Sequence, residues 1–359
     1  MPSGSGRPGR KNSFTPTTYP LKSGVQLHEI FSKKELETIP FIDRLSDEER
    51  NQLAALVEKK LDEEGGPLLS AMAMVANILP GFLKVKISQD VLGPKMVAKM
   101  TAYVPAKQAI SMAASMKTEF LAEVALYQKP EQVVEIVEAS PDRLLLDISK
   151  TLIDRGQFEV LSRFADHLSV SKLKLLAERL EDINGLVQIA HFMQNKQRVI
   201  DTSSTFSDEY LVKLMQGVAH FEYYEMAAMV GQAIDIDRQI KLLDHIDLAM
   251  AARLAAHYHP ETIARLIDKI DDETIVDIAL QLDEKVLGNL YNYLPGEQVN
   301  RLIPYLDVSK LALALPYINL KKIEKEWNVL SDSVIKTVEK LAGEYDPLAS
   351  LLKNLNYKS

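Results

Sequence analysis

The feature of this sequence that most constrains its fold is a series of short amphipathic segments that recur about every twelve residues. Counted from the first residue of a segment, apolar side chains stand three, four, six and seven positions later, which is the spacing of one helix face. A first run of segments starts at Ala106, Thr118, Pro130 and Pro141. A second run starts at Asp247, Pro260, Asp272, Asp283, Gly296 and Val308. The segments from Asp283 and Gly296 have one polar residue in an apolar position, Asn289 and Asn300, and those from Pro141 and Asp247 fit less strictly, with apolar residues three, four and seven positions later.

The length of these segments predicts how they must be stabilised. Twelve residues hold a helix of about eight or nine residues and a tight connection, and Pro or Asp at the start is the residue preferred at the first helical position or the N-cap. A helix this short is unstable alone, so its apolar stripe must be buried by the helices before and after it. The sequence therefore predicts an all-α fold, an α-solenoid or helical superhelix of repeats of about twelve residues.

The texture of the sequence divides the chain into five predicted parts. Residues 1–24 have four Pro, four Gly and no acidic residue, which predicts a disordered basic tail. Two capping boxes, Ser32–Glu35 and Ser46–Glu49, indicate helices in residues 25–66. A longer helix is predicted after Pro141, with a break at Arg155-Gly156, and a polar, turn-rich stretch at 196–207 suggests a boundary. The remaining parts are 67–195, with the first run, 196–322, with the second run, and C-terminal capping helices in 323–359.

Residues 67–116 are rich in Ala, Ser and Met and contain six of the twelve methionines of the chain. Methionine fills irregular space in cores and also forms adaptable binding surfaces. Core packing is one interpretation, and an apolar groove is the other. The candidate groove residues are Met72, Met74, Met96, Met100, Met112 and Met116.

Composition excludes several function classes. The chain lacks cysteine, so disulfides and thiolate chemistry are excluded, in keeping with a reducing compartment. Beyond residue 24 there are 38 basic and 50 acidic side chains, a formal charge of −12, which argues against a nucleic-acid surface.

The uncharged stretch from Gly65 to Leu83 is interrupted by Gly and Pro, which predicts a buried helix rather than a membrane span. With no apolar leader at the N-terminus, we expect a cytoplasmic protein.

Candidate metal ligands have a simpler structural explanation. His257 and His259 stand two residues apart, so on a helix they would point some 200° apart, and Pro260 places His259 in the turn before a helix. Acidic residues near helix starts cap the backbone and complement the helix dipole. We therefore expect no metal site, and assign capping roles to Asp235, Asp237, Asp244 and Asp247, and likewise to Asp271 and Asp272.

Catalytic motifs are not visible in the sequence. Asp166 and His167 are neighbours, and adjacent residues do not face each other on a helix. The sequence contains no GxGxxG, no P-loop and no HExxH motif. We therefore predict no catalytic residues, no cofactor and no enzymatic activity.

The segments KPEQVVEIV, SPDRLLLDI and HPETIARLI carry a resemblance to a known family. They resemble the helical superhelix of the cytosolic N-terminal domain of MgtE-type magnesium transporters, over roughly residues 100–315. The transmembrane helices and paired nucleotide-sensing domains of that family have no counterpart in this sequence. The resemblance implies an architecture, and it transfers no metal ligand to any residue of this chain.

Three functions follow as hypotheses. Helical-repeat proteins usually present a long surface to another macromolecule, so a cytoplasmic protein-binding, scaffold or regulatory role comes first. A binder of a small apolar ligand or lipid, held by the Met- and Ala-rich helices of 67–116, is the second. A divalent-cation-responsive regulatory domain, as the resemblance suggests, is the third.

Overall fold

The computed structural model of this chain describes residues 81–356, together with the isolated positions 46, 48, 52, 66 and 70. The chain divides into a unit of residues 1–79 and a unit of residues 80–359, and the helices below belong to the second unit. The predicted basic tail of residues 1–24, the capping boxes and most of residues 25–80 lie outside the described residues.

Between residues 81 and 356 every regular element is a helix, which confirms the all-α prediction. A π-helical turn, Ser88–Leu92, joins the first two α-helices, and 3-10 turns extend two later ones at Ile303–Tyr305 and Leu315–Tyr317. The α-helices are α1 (Gly81–Ile87), α2 (Gly93–Thr101), α3 (Ala106–Ala113), α4 (Thr118–Tyr127), α5 (Pro130–Ala139), α6 (Asp142–Asp154), α7 (Phe158–Ala165), α8 (Val170–Leu180), α9 (Ile183–Phe192), α10 (Lys196–Ser204), α11 (Asp208–Phe221), α12 (Tyr224–Ala233), α13 (Ile236–Leu243), α14 (Leu248–Ala255), α15 (Pro260–Ile267), α16 (Asp272–Gln281), α17 (Glu284–Tyr291), α18 (Gly296–Leu302), α19 (Val308–Ala314), α20 (Leu320–Glu326), α21 (Asp332–Ala342) and α22 (Asp346–Asn356).

The N-caps show that the repeat is more regular than the sequence pattern suggested. From α12 to α21 the N-cap falls on every twelfth residue, and most of these side chains accept a hydrogen bond from the first turn of their helix. The predicted starts varied by eleven to thirteen residues because some were N-caps and others first helical residues. The N-caps are Tyr223, Asp235, Asp247, His259, Asp271, Asp283, Pro295, Asp307, Asn319 and Ser331.

Before α12 the spacing of the N-caps is less regular, and two helices there are longer than all the other described helices. They are α6, of 13 residues, and α11, of 14 residues. The longer helix and the break predicted at Arg155-Gly156 are confirmed, since Gly156 ends α6 with a φ of +67°.

The polar stretch 196–207 differs from its sequence interpretation, because Lys196–Ser204 is helical. Asn195 caps this helix, and Val199, Thr202 and Ser203 are buried. Tertiary burial overrides the low apolar content of this segment. The domain boundary expected at this point stays a prediction.

Most of the described helices pack mainly against the helix two places along the chain rather than the next one. Alternate helices therefore form two rows, and the apolar stripe of each short helix is covered within its row, as in a helical solenoid. The pairs include α2 with α4, α3 with α5, α4 with α6, α7 with α9, α8 with α10, α9 with α11, α10 with α12, α12 with α14, α14 with α16, α17 with α19, α19 with α21 and α20 with α22.

Basic side chains connect helices within a row. In four places the third residue after an N-cap, a Lys or Arg, donates to the carbonyl that precedes the N-cap two helices earlier. Carbonyls at helix ends have no partner within their own helix, so this contact satisfies them and binds the two turns together. The pairs are Lys172 with Ser140 (2.9 Å), Arg198 with Leu168, Arg238 with Phe206, and Lys322 with Leu294 (2.6 Å).

A second recurrent contact uses the residue three places before the N-cap. Its side chain accepts a hydrogen bond from the backbone N–H of the N-cap residue two helices later. The acceptors and donors are Glu138 and Ser169 (3.2 Å), Asp166 and Asn195 (3.0 Å), Gln232 and His259 (2.7 Å), and Asn292 and Asn319 (2.7 Å). Successive turns within a row are therefore joined by two kinds of polar contact.

Candidate functional site

The predicted apolar groove lies only partly within the described residues. Met72 and Met74 are outside them. Met96 and Met100 lie on α2, which packs against α4, and Met112 lies on α3, which packs against α5. Met100 is buried, Met96 is 36% exposed, and Met112 and Met116 are half-buried. The groove stays a prediction.

The histidines and carboxylates singled out in the sequence mostly serve the backbone. His259 is the N-cap residue of α15, and its N–H donates to Gln232. Asp235 and Asp247 cap α13 and α14, while Asp237 pairs with Lys269. Lys269 lowers the pKa of Asp237 through this hydrogen bond and through its charge. Within the described part of the chain, no group of three or more His, Asp or Glu side chains could hold a metal ion.

Asp166 also has a structural role. Its two carboxylate oxygens accept from the backbone N–H groups of Gln194 (2.9 Å) and Asn195 (3.0 Å), at the start of α10. His167 is exposed. The pair therefore has no arrangement suited to acid–base catalysis, which would need the carboxylate to orient the imidazole.

The connections of the second run share a three-residue pattern. An exposed residue comes first, a buried or half-buried apolar residue second, and the N-cap of the next helix third. The apolar residues stand at intervals of twelve: Ile246, Tyr258, Ile270, Leu282, Leu294, Leu306, Ile318 and Leu330. The exposed residues before them are His245, His257, Lys269, Gln281, Tyr293, Tyr305, Tyr317 and Val329.

Backbone geometry explains this pattern. The N–H of the apolar residue donates to the carbonyl three residues earlier, as in Leu306 to Ile303 (3.2 Å) and Ile318 to Leu315 (3.0 Å). The apolar residue then takes an extended conformation, with φ and ψ of −87° and 145° at Leu306. Successive side chains of an extended segment point to opposite sides. The apolar side chain therefore enters the core and the preceding one faces solvent.

From residue 293 onward the exposed position is aromatic or apolar instead of polar. The exposed fractions are 52% at Tyr293, 66% at Tyr305, 43% at Tyr317 and 53% at Val329. We call Tyr293, Tyr305 and Tyr317 the tyrosine turns. A tyrosine offers a large rigid apolar ring with a polar tip, and it is enriched in protein interfaces.

Two of the tyrosine turns adjoin each other. The Asn292 amide donates to the carbonyl of Tyr317 (3.0 Å), and its oxygen accepts from the N–H of Asn319. A β-carbon on Gly288 would lie 2.8 Å from the Tyr317 β-carbon, so α17 and this turn are in close contact. Leu313, one helical turn before Tyr317, is 61% exposed. We call Tyr293, Leu313 and Tyr317 the tyrosine edge.

A charged turn borders the tyrosine edge on its other side. From α18, Gln298 donates to Asp268 (2.7 Å) and Arg301 donates to Asp272 (2.9 Å), so the connection before α16 adjoins the one before α18. Glu273 and Glu297 are the second residues of these two helices, and both are exposed. Aromatic and carboxylate side chains therefore lie on neighbouring turns.

A half-buried lysine of α20, Lys322, contacts the turn that carries Tyr293. Lys322 donates to the carbonyl of Leu294 and to Glu326 (2.9 Å), and its ammonium lies 6.0 Å from the centre of the Tyr291 ring. Burial, followed by the charge of Glu326, raises the pKa of Tyr291. The backbone of the turn next to Tyr293 is therefore hydrogen-bonded to α20.

The tyrosine turns were not identified as a site from the sequence. The signal was present, since YNYLP, IPYLD and LPYIN repeat a tyrosine at intervals of twelve. This repeat lies between the predicted helices, whereas the apolar pattern that predicts the helices lies within them.

Comparison with known proteins gives one match. Residues 222–315 match the family model described as the MgtE intracellular N domain, which covers about a quarter of the chain. No match was found among curated proteins or among solved structures. In the described residues, the helices are too short or too polar to pass through a bilayer. The resemblance noted in the sequence is therefore confirmed: in residues 222–315, the chain is similar to the MgtE intracellular N domain and shares its helical character.

Proposed function

We propose that this protein is a non-catalytic intracellular regulatory module that binds another protein through the tyrosine turns of its second repeat run. The observation that carries this proposal is the exposure of three tyrosines at intervals of twelve residues, where the preceding connections of the second run carry His245, His257, Lys269 and Gln281 at the same position.

The architecture itself does not need these tyrosines. The same exposed position is filled by His245, Lys269 and Gln281 in earlier repeats, where the connection has the same form. Solvent-facing rings give the free protein little burial energy, since the hydrophobic effect follows the area removed from water. Their recurrence is better explained by a partner that covers them.

The regulatory and intracellular parts of the proposal rest on the description of the matched family. The match covers two of the three tyrosine turns, Tyr293 and Tyr305, and ends two residues before the third. The non-catalytic part is supported by the roles of the candidate residues, because Asp166, Asp235 and Asp247 are engaged with backbone N–H groups.

Site-specific photo-crosslinking in the cell of origin tests this proposal. A benzophenone amino acid replaces Tyr293, Tyr305 or Tyr317 in turn, and Tyr127 is the matched control because it is 51% exposed and lies on α4. We expect the same crosslinked protein from at least two of the tyrosine turns and not from position 127. The proposal is contradicted if none of the three turns gives a crosslink, or if position 127 gives the same crosslinked protein to the same extent as the turns.

A second candidate function has a specific observation in its favour. Val91 (74%), Met96 and Tyr103 (42%) are exposed apolar residues within thirteen positions around α2. An apolar ligand or lipid bound there would cover them. Native mass spectrometry of the purified full chain tests this alternative, which requires a co-purified ligand and its loss in a Met96→Glu variant. The cation-responsive alternative is tested by calorimetry with magnesium, and requires stoichiometric binding.

A further inference from the structure

We propose that the partner segment bound at the tyrosine edge is basic, a stretch of another protein rich in Arg or Lys. This inference rests on the proposed function and deepens it, since it specifies the chemistry of the partner.

The matched segment carries most of the acidic excess of the chain. Residues 222–315 contain 16 acidic and 8 basic side chains, a formal charge of −8. Five of the eight basic side chains are already engaged with carboxylates or backbone carbonyls of this chain: Arg238, Arg253, Lys269, Arg301 and Lys310. Few cations are left to balance the exposed carboxylates, so a basic partner is attracted to this part of the protein.

Two carboxylates stand beside the tyrosine edge. Glu297 follows Tyr293 by four residues, and Glu273 lies on the neighbouring turn. Neither carboxylate forms an ion pair in the described part of the chain. Their position in the first turn of a helix stabilises that helix, and it also leaves both charges available to an incoming guanidinium or ammonium group.

The tyrosine rings add a second attraction for cations. A cation over a tyrosine ring is stabilised by the ring quadrupole, and this fold already uses that contact internally, where Arg253 lies 5.3 Å from the centre of the Tyr224 ring. Among the described cation–ring contacts none involves Tyr293 or Tyr317. Both exposed rings are therefore available to a cation of the partner.

Charge also sets the direction in which the partner extends. Beyond Tyr317 the second residue of α20 is Lys321, which is exposed and repels a basic segment. On the other side lie Glu297 and Glu273, and the exposed Lys269 of that neighbouring turn is already paired with Asp237. A basic segment therefore runs from Tyr317 across Tyr293 toward the two carboxylates.

Fluorescence anisotropy with a fluorescein-labelled octa-arginine peptide tests the inference on the full chain. We expect Tyr293→Ala with Tyr317→Ala, which leaves the charge unchanged, to weaken binding about tenfold. We expect a similar loss for Glu273→Gln with Glu297→Gln. The matched controls are Tyr127→Ala and the pair Glu119→Gln with Glu159→Gln, exposed residues on α4 and α7, which should change binding less than about twofold.

The result that overturns the inference is a tyrosine pair that behaves like Tyr127→Ala, because binding would then reflect diffuse charge alone. Circular dichroism and the unfolding midpoint of each variant establish that it is folded. The crosslinking experiment separates this failure from that of the proposed function. Crosslinks at the tyrosine turns without a tyrosine effect on the peptide reject the basic partner and keep the protein-binding role, whereas failure of both rejects both.

Discussion

Asn292 illustrates what single side chains do in this fold. It ends one helix, donates to the carbonyl of Tyr317, and accepts from the N–H of Asn319. Asn300 does the same with Val329 and Ser331, at distances of 2.9 and 2.8 Å. In the sequence Asn300 interrupted an apolar pattern, and the structure gives the reason: its amide satisfies the backbone of a turn some thirty residues away.

A residue in the left-handed region gives a first prediction. Glu181 ends α8 with a φ of +57°, a conformation that costs about 1 kcal/mol or more for a side chain and little for glycine. We expect Glu181→Gly to raise the free energy of unfolding by roughly 0.5–1 kcal/mol, measured by urea denaturation.

The control for this change is Lys150→Gly, at an exposed position inside α6, which should lower stability by about 1 kcal/mol. If both substitutions destabilise the protein, the strain assigned to Glu181 is not present.

A close backbone approach gives a second prediction. A β-carbon at Gly288 would lie 2.5 Å from the carbonyl oxygen of Ala314, which is backbone and cannot move away as a side chain could. Alanine normally favours a helix over glycine, by about 1 kcal/mol. We expect Gly288→Ala to destabilise the protein instead, lowering the free energy of unfolding by about 1–3 kcal/mol. Thermal or urea denaturation measures this change.

Gly343→Ala is the comparison, because its new β-carbon would approach only the Lys340 carbonyl, at 3.3 Å, with an ordinary helical φ of −67°. A Gly288→Ala protein as stable as Gly343→Ala would show that α17 and the Tyr317 turn are not in close contact.

At the scale of helices, the sequence predicts more of this fold than its irregular spacing suggests. Predicted starts such as Ala106, Pro260 and Val308 are first helical residues, and Asp247 and Asp283 are N-caps. Local chemistry is sufficient here, because capping and apolar spacing act within a few residues. Local chemistry does not predict α10, because this helix depends on the burial of Val199 and on the contact between Arg198 and Leu168.

The contacts between helices could not be predicted in the same way. Partners such as Lys172 and Ser140 are 32 residues apart, and the connection between them depends on the packing of each helix against the one two places later. The tyrosine edge could not be predicted for the same reason. The periodicity of Tyr293, Tyr305 and Tyr317 is visible in the sequence, but the contact between the turns of Tyr293 and Tyr317 is not.

One of these contacts between helices should make the stability of the protein depend on pH. Lys172 donates to Asp142 (2.7 Å), and this hydrogen bond, with the charge of Lys172, holds the pKa of Asp142 below its ordinary value of 3.8. A carboxyl whose pKa is lowered by folding contributes stability above its unfolded pKa and loses that contribution as the pH falls through the folded value. We expect Lys172→Met to be less stable than wild type at pH 7, and this difference to narrow below about pH 4.

Urea denaturation at pH 7 and pH 3 measures the effect. Lys150→Met, on the exposed face of α6, should show a small difference that is the same at both pH values. A Lys172→Met deficit that is constant with pH would mean that its contact with the Ser140 carbonyl, and not Asp142, accounts for the loss.

At the scale of the whole molecule, the core of the described residues is a succession of hydrophobic clusters. The largest joins 21 buried residues between Ala252 and Leu348, and smaller clusters, around Leu152 and around Val187, lie earlier in the chain. Each helix contacts mainly helices that are one or two places away in the chain. The free energy of unfolding of such a fold is therefore close to a sum of contributions from individual helices and from their contacts with adjacent helices. The tyrosine turns adjoin the largest cluster, so the proposed binding surface lies next to the most extensive core in the described part of the chain.

This arrangement predicts how damage at the C-terminal end spreads. Leu348 on α22 is fully buried, and α22 packs against α20 and α21. A chain that ends at Glu344 should lose hydrogen-exchange protection in α20 and α21 while α4 and α7 keep theirs, because coupling decays from neighbour to neighbour. Leu348→Ala in the full chain should act on the same helices, with a cost of about 2–5 kcal/mol. Equal loss of protection in α4 and α7 would instead show that the described helices unfold as one cooperative unit, and binding at the tyrosine edge would then be felt throughout them.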